Sequence, residues 1–193
     1  KKKLAMSLIN EIINNEDRYL ELGSNKYGRN LPFQRQRALI HMENGDEVNA
    51  VKYFVKWIDL YKEIFQDDRV GFRKFDALDW KVWINSYLAY YYIKNKNFEK
   101  GKKIIQDIER IMVKSDLWIE HDNPSEIPFI DLDHTLYINY HLSMAYKGLK
   151  NDIKSNEHLN RAYENMSAIA NRMDDEDYQM FLSKFICRKI LDS

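Results

Sequence analysis

The sequence has one cysteine, Cys187, three prolines and six glycines among 193 residues. A single thiol cannot form an intrachain disulfide, and the expected location is a reducing compartment, the cytoplasm. Neither charge is in surplus, since Lys+Arg and Asp+Glu both number 30. That balance lacks the basic excess on which nucleic-acid and anionic-membrane binding draw, so neither partner is expected of this segment. No run of about 18 apolar residues is present, so no membrane span is expected. Gly-rich phosphate loops, nucleophile elbows and dinucleotide fingerprints are also missing. The opening Lys1-Lys2-Lys3 leads into acids and amides, which reads as a helix and not as a signal peptide. With no initiator Met, the chain is expected to be a piece of a longer protein.

What the chain does contain is helical periodicity. Aromatic residues make up 13% of it, and 13 of them are Tyr, an apolar body with a polar tip that suits helix packing and binding grooves alike. Leu4, Leu8, Ile12 and Ile13 form a stripe on a first helix over 4–22, which Gly23 ends. The composition of 23–30 predicts a loop, and Pro32 suits the first turn of a helix running to Gly45. Asp46 is an N-cap for the next helix, striped with Val51, Phe54, Val55, Ile58, Tyr61 and Phe65. Gly71 marks a connection, and Asp76 with Asp79 opens a helix bearing Trp80, Trp83, Tyr87, Leu88, Tyr91 and Tyr92. A polar turn over 94–97 precedes a partner helix over 98–113. The stretch 115–131 holds two of the three prolines and reads as a long irregular connection. Two more amphipathic helices occupy 136–166, and a last helix starts at Asp174. The fold class is all-α, with about eight helices and no strand pattern.

These helices fall into three related hairpins. Ala50, Gly101 and Ser155 occupy one small position early in each second helix, recurring after 51 and then 54 residues. Ala38, Ala89 and Ser143 share a small position in the first helices. His41, Tyr92 and Tyr146 align, as do Phe54, Ile105 and Leu159, and Trp57, Ile108 and Ala162. This order of small, aromatic and bulky columns resembles the tetratricopeptide (TPR) helix hairpin over 31–170. It departs from the family in its period, which there is about 34 residues, and in the bulky Trp57 and Ile108 where the motif prefers Ala.

The resemblance implies a single domain of antiparallel hairpins over about 31–68, 76–114 and 131–171, flanked by capping helices over 2–22 and 174–192. These would stack as a right-handed α-solenoid with lengthened helices and a concave side lined by first helices. In such arrays that side binds peptides or partner proteins. Its positions map onto Arg35, Leu39 and Met42 in the first hairpin. The second contributes Trp83, Ser86, Tyr87, Tyr90 and Lys94, and the third Tyr137, Tyr140, His141, Met144 and Lys147. Gln34, Asn85 and Asn139 form an amide column that could meet a peptide backbone or satisfy the helices themselves. The chain is similar in kind to the TPR-like domains of intracellular peptide-pheromone receptors of low-GC bacteria, which implies a peptide or protein partner and no cofactor.

Two other readings compete. One is a structural or oligomerisation domain, including a homodimer, that buries the aromatics between subunits. The other is a helical metal-dependent hydrolase built on Asp131, Asp133, His134 and His141. The two histidines lie two helical turns apart, about 10 Å by rise, which is too far for one ion. The two acids suit a helix start. His121 reads as a solvated loop residue, Cys187 as a structural thiol, and 174–177 as a dipole-favoured helix start. No metal site and no catalytic group is expected.

Overall fold

The computed structural model describes residues 7, 11, 26–66, 74–114, 129–182 and 185–192. All regular structure among them is helical. The helices are α1 (Lys26–Glu43), α2 (Glu47–Gln66), α3 (Lys74–Lys94), α4 (Phe98–Lys114), α5 (Phe129–Gly148), α6 (Asp152–Ala170), α7 (Asp175–Leu182) and α8 (Phe185–Leu191). Two compact units result, Lys1–Arg73 and Lys74–Ser193. In the first, α1 and α2 pair as a hairpin. In the second, α3 packs on α4 and α5, α5 packs on α6, and α7 and α8 close against α6.

The sequence misplaces some boundaries. The loop expected over 23–30 is helical from Lys26, so Pro32 lies inside α1 and not in its first turn. Burial of Leu31 and Gln34 on either side of the proline outweighs the loop-like local composition. The expected last helix is described as α7 and α8, on either side of 183–184, which lie outside the described residues. The expected first helix, apart from the helical Ser7 and Glu11, and residues 115–128 of the expected 115–131 connection lie outside the described residues, while 129–131 are already part of α5.

The three hairpin turns are built alike. In each, the backbone N–H groups of two successive residues reach back to carbonyls three and five positions earlier. Gly45 and Asp46 bond to Met42 and His41, Lys96 and Asn97 to Ile93 and Tyr92, and Lys150 and Asn151 to Lys147 and Tyr146. This is the Schellman closure of a helix C-terminus, which places one residue in the left-handed region. Gly45 (φ 75°), Lys96 (φ 62°) and Lys150 (φ 60°) take that role. The next residue is in each case the N-cap of the following helix. Asp46 Oδ1 accepts from Asn49 N–H at 3.2 Å, Asn97 Oδ1 from Lys100 N–H at 3.4 Å and Asn151 Oδ1 from Lys154 N–H at 3.2 Å. These left-handed residues recur after 51 and 54 positions, the same intervals that separate Ala50, Gly101 and Ser155.

A lysine in the left-handed region carries a Cβ strain that glycine avoids, of order 1 kcal/mol. Lys96→Gly is therefore expected to leave the hairpin intact and raise unfolding free energy by about 0.5 kcal/mol, measured by urea denaturation.

The repeat columns are packing positions. Ala38, Ala50, Ala89, Gly101, Ser143 and Ser155 are all buried, as are Phe54, Trp57, Ile105, Ile108 and Ala162. Trp57 accommodates its bulk by stacking on Tyr61, with ring centroids 5.2 Å apart. A Cβ at Gly101 would collide with the Ile93 side chain and lie 3.3 Å from the Ala89 carbonyl. One at Gly148 would sit 2.6 Å from Ile93 Cγ2. Ile93, on α3, thus fills the space left by one glycine on α4 and another on α5.

Helices α3 and α5 run side by side in the same direction with a fixed register. Asp79 pairs with His134, Ser86 with His141, and Ile93 abuts Gly148, each pair 55 residues apart. Contacts at the start, middle and end of both helices therefore belong to one parallel alignment.

Candidate functional site

The seam between α3 and α5 gathers most of the aromatic residues expected to line a groove. Trp83, Ser86 and Tyr87 come from α3, and Tyr137, Tyr140 and His141 from α5. Their spacing of three or four residues keeps each set on one helical face. The His141 ring is the hub, lying 6.1 Å from Trp83, 5.3 Å from Tyr87, 6.2 Å from Tyr137 and 5.9 Å from Tyr140. Tyr90 lies parallel to it, tilted by 8° at 6.3 Å. Trp83 meets Tyr137 edge-on at 5.6 Å.

Ser86 and His141 bond within the seam. Ser86 Oγ donates to the Trp83 carbonyl at 2.7 Å, and His141 Nδ1 lies 3.2 Å from the same oxygen. With the only hydroxyl proton directed at the carbonyl, His141 must carry its proton on Nδ1 and donate it to Ser86. Burial lowers the His141 pKa to about 3, so the ring is neutral near pH 7. Burial, followed by the influence of Tyr90, pushes the Tyr140 phenol up to about 12.

Accessibility separates the expected groove residues. Trp83, Ser86, Tyr87, Asn139, Tyr140 and His141 are buried within the unit itself. Asn85, Tyr90, Tyr137 and Met144 are half-buried, and Lys94 and Lys147 are exposed. Solvent thus meets the second set, with the Lys94 ammonium 5.7 Å from the Tyr90 ring centroid. Arg35, Leu39 and Met42 are half-buried on α1 and belong to the first unit.

The amide column divides in the same way. Asn139 donates to the Thr135 carbonyl at 3.0 Å, and its Oδ1 lies 2.8 Å from His158 Nδ1, which must donate to it. Both the nitrogen and the oxygen of that amide are thus engaged within α5 and α6. Gln34 is buried, and its Oε1 has no hydrogen-bond partner among the described residues. Asn85 is half-buried on α3, two residues from both Trp83 and Tyr87, a spacing that turns it away from the aromatic seam.

Two constellations escape sequence reasoning. Glu109 Oε1 accepts from Tyr146 Oη at 2.5 Å and from Lys154 Nζ at 2.6 Å, joining α4, α5 and α6. Burial raises the Glu109 pKa, but the hydrogen bonds from Lys154 and Tyr146 outweigh it and hold the carboxyl below its ordinary value. Tyr146 stacks on His158 at 5.6 Å, and burial, with a smaller contribution from Arg161, lowers the His158 pKa to about 4. In the first hairpin His41 stacks on Tyr53 at 5.4 Å, the same pairing of positions with the two residue types exchanged. That exchange hides the pair from a search for repeated identities. The second constellation is Asp79–His134, with Trp80 edge-on to the imidazole at 4.3 Å. Asp79, expected with Asp76 at a helix start, lies within α3, which begins at Lys74, and holds the histidine considered for a metal.

Comparison of the chain with family models, curated proteins and solved structures finds no match. The site must therefore be read from its own geometry. Among the described residues no three of His, Cys, Asp and Glu come together as metal ligands, and no helix is long and apolar enough to cross a membrane.

Proposed function

We propose that the chain is a protein- or peptide-binding helical-repeat module, a TPR-like right-handed array with lengthened hairpins that works in the cytoplasm. The observation that carries this reading is the graded exposure of the α3–α5 seam. Buried Trp83, Tyr87, Tyr140 and His141 hold the two helices in register. Around them Tyr90, Tyr137 and Met144 present partly open aromatic and thioether surface, with Lys94 and Lys147 exposed on the same two helices. Rings fixed from beneath offer contact area at little entropic cost, and flanking cations favour a ligand with carboxylates.

A peptide-array screen with the purified chain, repeated with Tyr90→Ala and Tyr137→Ala, tests the assignment. Each substitution is expected to weaken a selected peptide by about 2 kcal/mol, some thirty-fold in Kd. A selected peptide whose binding ignores both substitutions would remove the seam from consideration.

A structural or oligomerisation role is the second reading. It is favoured by the exposed Met180, Leu191 and Tyr178 on the closing helices. Concentration-dependent self-association abolished by Met180→Glu would support it.

A further inference from the structure

We propose that the edge formed by the α3–α4 and α5–α6 turns is a docking site for an acidic protein segment carrying apolar side chains among its carboxylates. The parallel register of α3 and α5 brings these turns to the same end of the second unit, because Ile93, just before one turn, abuts Gly148, just before the other. Residues 94–103 hold five lysines and one acid, and residues 147–154 hold three lysines and one acid. With Glu109, which pairs with Lys154, counted as well, a surplus of five positive charges is concentrated at one edge of a chain whose formal net charge is zero. One of these lysines, Lys154, is engaged by Glu109, while Lys96, Lys100, Lys102, Lys103, Lys147 and Lys150 are exposed. The N-termini of α4 and α6 open at this edge and add to its positive potential.

Two further features set the edge apart from an ordinary solvated surface. Lys96 and Lys150 stand in the left-handed position that Gly45 occupies in the equivalent turn of the first unit. A cation is held at both places despite the conformational strain. Phe98 and Ile153 begin the helices that follow, 41% and 76% exposed, so each turn offers an apolar side chain next to its lysines.

The chemistry favours a protein partner over other polyanions. Every cation in the two stretches is Lys and none is the fork-shaped Arg that engages phosphates bidentately. Glu99 follows Phe98 and Asp152 precedes Ile153, so inserting either apolar side chain into a bilayer would drag a carboxylate with it. A protein segment can instead place carboxylates on the lysines and apolar side chains on Phe98 and Ile153. This edge shares Lys94 and Lys147 with the flank of the aromatic seam but none of its rings, so the two are separable by mutation at Lys96 and Lys150 on one side and Tyr90 on the other.

The test is fluorescence anisotropy of the full chain with a labelled peptide of Asp and Glu interspersed with Leu, in low-salt buffer. The wild type is expected to bind it and to lose affinity as salt rises. Lys96→Glu with Lys150→Glu should cost about ten-fold or more, and Phe98→Ala with Ile153→Ala a smaller factor. Lys96→Gly with Lys150→Gly removes the charge while favouring the turn, so a loss there cannot be ascribed to misfolding. Tyr90→Ala should leave this binding unchanged. Failure of the wild type to bind the peptide, or binding indifferent to these substitutions, overturns the proposal. Tighter binding to phosphatidylglycerol vesicles or duplex DNA, with the same sensitivity to Lys96→Glu and Lys150→Glu, overturns it too.

Discussion

Gly101→Leu is expected to destabilise the second unit by roughly 3 kcal/mol, a large share of the stability of a domain this size. Gly101 is buried on α4, where even a Cβ would meet Ile93 and the Ala89 carbonyl. Ile93 is itself 3% exposed and cannot swing into solvent without emptying the space between α3, α4 and α5. Leucine is the better helix former by nearly 1 kcal/mol, but this gain is smaller than the overpacking cost. The contact can be isolated with Ile93→Ala, which on its own should cost about 2–4 kcal/mol by leaving a cavity. The double variant should be more stable than the sum of the two losses, because the cavity admits the new side chain. Urea denaturation of the four proteins measures the cycle. Wild-type stability in Gly101→Leu would contradict the observed packing.

Acidification is expected to destabilise the same unit well before its carboxylates titrate. His141 and His158 have pKa values lowered to about 3 and about 4, in both cases chiefly by burial, against about 6.5 in an unfolded chain. Both rings are neutral in the folded state near pH 7, so their contribution is fully present above the unfolded pKa. Below it the unfolded chain takes up protons that the folded chain refuses, and stability is lost until pH reaches the folded values. Each histidine then contributes about 1.4 kcal/mol per pH unit, so the pair should remove about 4 kcal/mol between pH 7 and pH 5. His141→Gln and His158→Gln should each roughly halve the slope. Urea midpoints flat across that interval would show that the rings are not held neutral.

Much of the helical organisation was legible because it rests on spacing. The small columns Ala38, Ala89, Ser143 and Ala50, Gly101, Ser155 marked where backbones approach closely, and all are buried. Asp46 and Asp174 were readable as caps, and both accept the expected backbone hydrogen bonds. The start of α1 was not readable, because a proline and a glycine dominate local composition while burial of distant partners decides the outcome. The TPR resemblance assigned Trp83, Tyr87, Tyr140 and His141 to one groove-lining side, and they do meet at the α3–α5 seam, but it could not say that the two faces would seal against each other and bury them. That depends on the 55-residue register between α3 and α5, which appears only once Asp79, Ser86 and Ile93 meet their partners. The Glu109–Tyr146–Lys154 cluster stayed hidden because its members come from three helices and share no motif.

The most direct test of the seam as a binding surface is isothermal titration of an array-selected peptide into the wild type, Tyr90→Ala and Tyr163→Ala. Tyr163 is an exposed tyrosine on α6, outside the seam, and controls for the loss of a surface ring. Binding through the seam predicts about a thirty-fold weaker Kd for Tyr90→Ala and an unchanged Kd for Tyr163→Ala. Equal affinities for all three proteins, or a loss confined to Tyr163→Ala, would contradict it.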